Sequence, residues 1–101
     1  MTLDPTPRVL TLYSRQGCCL CEGLEQRLKA LDLMAVLPPL VLRVEDIDEP
    51  SFPAELRWRY DLEVPVLAVD GEDLPRVSPR LAGEGLFAWL QRARSSGGSA
   101  T

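Results

Sequence analysis

The chain of 101 residues contains no histidine. No imidazole is available as a base, so Cys-His activation of a nucleophile is excluded. Long apolar runs are also missing: Met34 to Leu42 is nine residues with Pro38 and Pro39 at its centre, against the roughly 20 needed to cross a bilayer. The opening stretch, Met1 to Arg8, has neither a basic n-region nor an apolar h-region, so no signal peptide is expected and the cytoplasm is the expected location. Cationic charge is scarce in the middle of the chain, where ten acidic residues between Glu45 and Asp73 face only Arg57 and Arg59, and the net charge is -4. Nucleic acid is not an expected partner on that balance, nor is a membrane. Beyond Arg76 the sign reverses, with Arg80, Arg92 and Arg94 against Glu84, most of which read as a solvated helix face. No internal repeat is present.

What the sequence does have is a local concentration of thiols. Its three cysteines all fall in Gly17-Cys18-Cys19-Leu20-Cys21, where they cannot staple distant loops; the pattern suits catalysis, redox sensing or metal in a reducing compartment. Cys18 and Cys21 stand three apart. On the first turn of a helix they share a face, and their sulfurs can close a small reversible disulfide ring. That turn also presents unpaired N-H groups and the positive end of the helix dipole, which stabilise a thiolate. A cysteine so placed can fall from a pKa of about 8.5 to between roughly 3.5 and 7.5, which makes Cys18 the expected nucleophile and Cys21 the resolving thiol. Cys19 points about 100° away from Cys18 on a helix; it reads as a small packed residue, with a third-thiol role as the alternative.

The surrounding pattern supplies the frame. Arg8 to Tyr13 suits a buried strand and ends in the polar loop Ser14 to Gly17. From Cys18 onward Leu20, Leu24, Leu28 and Leu31 recur at helical spacing, Glu25 faces Lys29, and Pro38-Pro39 gives a stop. Leu40 to Val44 reads as a second strand, parallel to the first through a right-handed crossover. Phe52, Leu56 and Tyr60 mark a short helix, with Arg57 and Trp58 off its apolar stripe. Val64 to Val69 is a third strand, Asp70-Gly71 a hairpin turn, and Leu74 to Val77 a fourth strand demoted to an edge by Pro75. Ser78-Pro79 is the expected start of a last helix carrying Leu86, Trp89, Leu90 and Ala93. The predicted order is β-α-β-α-β-β-α: an α/β protein with a four-stranded mixed sheet flanked by helices, one domain over residues 8–94, with flexible termini at 1–7 and 95–101.

Cys18-Cys19-Leu20-Cys21 after the first strand, Val64-Pro65 before the third and Asp70-Gly71 between the last two resemble the thioredoxin superfamily, its glutaredoxin-like branch in particular. The resemblance implies a thioredoxin-like fold, a cis peptide at Pro65 beside the cysteine pair, and a groove in which the Val64 backbone pairs with a peptide or glutathione. It implies thiol-disulfide exchange on protein disulfides or glutathione mixed disulfides, with a reductase as electron donor and no tightly bound cofactor. Arg15, Arg76 and Ser78 are the candidates by motif position for holding glutathione carboxylates. Two steps of the pattern differ: Cys19-Leu20 stands where glutaredoxins commonly carry Pro-Tyr, and Pro75-Arg76 where they place two glycines. A redox-inactive binding module and a thiolate metal or iron-sulfur cluster protein are the competing expectations. Zinc wants four ligands, so a single chain falls one short and no metal site is assigned. A monomer is expected.

Overall fold

In the computed structural model, residues 7–36 and 38–98 are described. The strands β1 (Arg8–Ser14), β2 (Leu40–Asp46), β3 (Val66–Val69) and β4 (Glu72–Asp73) form one sheet in the order β2-β1-β3-β4. β1 runs parallel to β2 and antiparallel to β3, which hairpins into β4. The helices α1 (Cys19–Lys29), α2 (Ala54–Tyr60) and α3 (Gly83–Gly98) complete the predicted order, with a short 3-10 turn at Leu33–Ala35.

β1 is the central strand, and its alternation sorts side chains to two cores. Leu10 and Leu12, both fully buried, face one side and join Leu24 and Leu28 of α1 and Leu86 and Leu90 of α3. Tyr13 faces the other side, where it packs on Ile47, Phe52 and Tyr60 under α2. The Tyr13 and Tyr60 rings stack at 4.5 Å, and Phe52 meets Tyr13 edge-on at 5.9 Å. Burying each leucine stabilises the fold by about 1.5 to 3 kcal/mol. Both layers converge on the C-terminal end of β1, the end that leads to the cysteines.

Four expectations need correction. The helix after the cysteines stops at Lys29 rather than running towards Pro38, and its buried stripe is Cys21, Leu24 and Leu28; Leu20 is 53% exposed. The apolar period fits both stripes, and the sheet selects the one that seats Cys21. The fourth strand is only Glu72–Asp73: after the Leu74 N-H donates to Leu67 at 2.7 Å, Pro75 has no N-H with which to continue the ladder. The last helix starts at Gly83 and not at Pro79, because Gly83 has φ +54°, which a right-handed helix running through it cannot accommodate. Ser78 instead makes a local turn, its Oγ accepting from the Arg80 N-H at 3.3 Å. Finally, α3 continues through residues 95–98, where a flexible tail was expected. Residues 1–6 and 99–101 of the expected termini lie outside the described residues.

The hairpin forms as the Asp-Gly pair predicts, with positive φ at both Asp70 (51°) and Gly71 (88°). Its β4 end carries Asp73, whose carboxylate accepts from the Tyr60 hydroxyl at 2.8 Å and pairs with Arg59 at 2.9 Å. Burial first, then that carboxylate, pushes Tyr60 up to about 12 and holds Tyr13 above its ordinary value as well. A raised phenol disfavours the ionised form in the folded state. The contribution of Tyr60 to stability is therefore fully present below its unfolded value near 10 and is lost as the pH rises to about 12. Alkaline difference absorbance at the phenolate band should show both tyrosines ionising late in the native protein and at ordinary pH after denaturation.

Candidate active site

Cys18 is the N-cap of α1, extended at φ -90° and ψ 103°, and its Sγ accepts from the Cys21 N-H at 3.1 Å. The side chain thus takes up one of the orphan donors of the first turn, which is the position where a thiolate gains most from backbone N-H groups and the helix dipole. Cys18 and Cys21 are joined as a disulfide with Cα atoms 5.2 Å apart. Their exposures differ: Cys21 is 1% accessible and sits in the α1 core stripe, while Cys18 is half-buried at the rim. An external thiol or disulfide therefore meets Cys18 and not Cys21. Cys19, the first residue of α1, is exposed and unbonded, where a buried or half-buried residue is expected.

The Val64-Pro65 peptide is cis, as the resemblance implied. Pro65 joins Leu20, Arg76 and Val77 along one small cleft, so the residues before β3, after β4 and inside the cysteine motif come together. Its other side borders a second cleft of about 170 Å³ with Tyr60, Glu63 and Leu74. Val64 already donates its N-H to the Tyr60 carbonyl at 3.1 Å. Arg76 is exposed, with its nearest carboxylate, Glu63, at 3.9 Å. Ser78 is exposed and lines neither Pro65 cleft, although its neighbours Val77 and Pro79 border the smaller one.

Arg15 is differently employed. Its Nε and Nη2 donate to the two oxygens of Asp48 at 3.1 and 3.0 Å, and Nη1 and Nη2 donate to the Asp61 carbonyl and Oδ1, both at 2.9 Å. Four of its five N-H donors are committed. The carbonyl of Arg15 accepts from the Cys18 N-H at 3.3 Å, so this clamp ties the cysteine loop to the loop after β2 and to the turn between α2 and β3. Arg57 supports the same region from α2 by donating to the carbonyls of Ile47, Glu49 and Phe52. Asp48, Asp61 and Arg57 are the site-shaping residues that sequence reasoning missed. Asp48 and Asp61 lie 33 and 46 positions from Arg15, and no local pattern signals such a contact.

The paired guanidinium holds the Asp48 carboxyl below its ordinary value, and Arg15 itself is shifted upward. A depressed carboxylate contributes stability that is present above its unfolded value and lost as the pH falls through the folded one. Arg15→Gln should thus lower the melting temperature at neutral pH, and the difference from the parent should narrow in acid once Asp48 is protonated, leaving the part carried by the Asp61 carbonyl. Arg15→Lys should recover part of it, since an ammonium keeps the charge but not the fork. Thermal denaturation across that range checks both.

A helix-capping dithiol beside a cis-proline, at the end of the central strand of a four-stranded mixed sheet, places the protein in the thioredoxin-like class. The chain belongs to the glutaredoxin-like domain family (DUF836), whose model matches residues 9–91. Among solved structures it is similar to the Northeast Structural Genomics target protein XcR50 from X. campestris, at 31% identity and a TM-score of 0.52, covering 83% of this chain and 97% of that one. No curated protein matches the chain in sequence. Membership of this family together with the Cys18-Cys21 pair supports a thiol redox role.

Proposed function

We propose that the protein catalyses thiol-disulfide exchange in the manner of a glutaredoxin. The observation that carries this is the division between a reachable Cys18 sulfur at the α1 N-cap and a sealed Cys21 next to it in the same ring. In the reduced protein the Cys18 thiolate attacks one sulfur of a substrate disulfide, forming a mixed disulfide and expelling the other sulfur as a thiolate. The Cys21 thiol, losing its proton, then attacks the Cys18 sulfur and releases the second substrate thiol. The protein dithiol is oxidised by two electrons and the substrate disulfide is reduced to two thiols. A cytoplasmic reductase or glutathione returns the protein to the dithiol.

The substrate backbone lies along Val64 and Pro65, with the Val64 carbonyl as acceptor. Glutathione is proposed as a co-substrate held through Arg76, which borders the Pro65 clefts, rather than through Arg15, whose fork is already paired with Asp48 and Asp61.

The test is the pH dependence of alkylation of the reduced protein, with each modified cysteine located by mass spectrometry. Cys18 should titrate well below about 8.5 and react first, while Cys21 lags behind it. Thiols that are unperturbed or unreactive at both positions would overturn the proposal and leave a thioredoxin-fold binding module.

A further inference from the structure

The two most exposed large apolar side chains among the described residues stand on one side of the site: Trp58 at 82% and Leu62 at 87%. Trp58 lies on α2 away from the face that Leu56 and Tyr60 bury, and Leu62 stands in the turn that follows the helix. Between them Asp61 is fixed to Arg15 through its carbonyl and Oδ1, which leaves Oδ2 uncommitted among the described residues. Asp48 is fixed to the same guanidinium, and Asp46 accepts from the Asp48 N-H at 2.8 Å. Three carboxylates against one guanidinium make this lip net negative. Arg57 keeps its charge while it donates to backbone carbonyls, and that charge reaches Asp48, but with Glu49 of the same loop counted four carboxylates still stand against two guanidiniums. The clamp thus joins an apolar, anionic lip directly to the Cys18 loop.

Such a surface is complementary to a polypeptide segment that is apolar and cationic: the carboxylates attract Lys or Arg, and the open Trp58 ring offers its π-face to the same groups. Glutathione, with two carboxylates and one ammonium, is a poor match for it. Resting on the exchange reaction above, we propose that the preferred substrates are protein disulfides flanked by basic and apolar residues, which dock across Trp58, Asp61 and Leu62. The disulfide then reaches Cys18 by the same balanced steps.

The experiment uses the full reduced chain and four 2-pyridyl disulfides: a Lys/Leu-flanked cysteine peptide, the same peptide with Glu for Lys, glutathione, and the small neutral 2,2′-dipyridyl disulfide. Release of pyridine-2-thione reports each rate. At low ionic strength the Lys/Leu peptide should react at least about tenfold faster than the Glu peptide and the glutathione compound, with the gap closing in high salt. The double variant Trp58→Ala, Leu62→Ser should slow the Lys/Leu peptide at least about fivefold and leave the dipyridyl rate unchanged, as hot-spot truncation of a docking surface does. Equal peptide rates, or a gap insensitive to salt and to the double variant, would overturn the docking proposal while the dipyridyl reaction keeps the exchange reading intact. Failure of Cys18 to react even with dipyridyl disulfide would overturn both.

Discussion

Replacing Cys21 by serine is expected to convert the protein into a trap. Cys18 still attacks a substrate disulfide, but the mixed disulfide has lost its ring partner, and one equivalent of substrate stays bound until an external thiol is added. Intact-mass spectrometry should show the adduct, and release without added thiol should slow at least about a thousandfold, because an intramolecular attack works at an effective concentration far above that of any free thiol. Cys18→Ser combined with Cys19→Ser should show no adduct and no turnover, since the one thiol left, Cys21, is only 1% accessible. Cys19→Ser separates the third thiol from the pair. If Cys19 resolves nothing, the Cys19→Ser variant turns over like the parent, and Cys19→Ser combined with Cys21→Ser traps as Cys21→Ser alone does.

The second large effect falls on stability. Leu10 is fully buried on the central strand among side chains from α1 and α3. Leu10→Ala should cost about 2 to 5 kcal/mol, the lost transfer energy plus a cavity that the sheet and helices cannot collapse into. For a domain of this size that corresponds to roughly 4 to 8 °C of melting temperature per kcal/mol. The same chemical change at Leu62, 87% exposed, should move stability by less than about 0.5 kcal/mol. Chemical denaturation of the pair reads the difference directly, and the Leu62 result also certifies that position as a surface on which binding can be altered without unfolding the chain.

The parts of the fold that were legible in the sequence are those in which one short segment carries its own signal. Arg8 to Tyr13 and Leu40 to Val44 announce strands through β-branched and apolar content, Asp70-Gly71 announces a hairpin through the φ it tolerates, and Glu25 and Lys29 pair at 2.7 Å as their spacing requires. Cys18 and Cys21 were legible as a ring for the same reason. Where two signals compete in one segment, the sheet decided. Leu20 and Cys21 both fit an apolar stripe, and close packing took the smaller thiol and left the leucine at the rim. At Ser78-Pro79 the local cap signal was sound, but the chain spends it on a turn because Gly83 adopts φ +54°. The Ser-Gly composition after residue 94 suggests a linker, yet a helix already nucleated by Leu86 and Leu90 gains a hydrogen bond with each added residue, so α3 persists to Gly98.

The clamp was not legible at all. Arg15 was singled out for its position beside the cysteines and assigned to an incoming carboxylate, but the carboxylates it holds are those of Asp48 and Asp61, brought to it by β2 and α2. A charge pattern in sequence records which groups exist, and only the sheet order records which of them meet.

In the exchange proposed above, the placement of both thiols in one turn of one chain sets the kinetic order of the cycle. There capture by Cys18 depends on how much substrate is present, whereas release is an attack by Cys21 on the bond between Cys18 and the substrate sulfur within one complex and proceeds at the same rate at any dilution. The time a substrate spends attached is thus written into the first turn of α1. Abundance of the protein governs how often partners are engaged, and leaves untouched how long each engagement lasts.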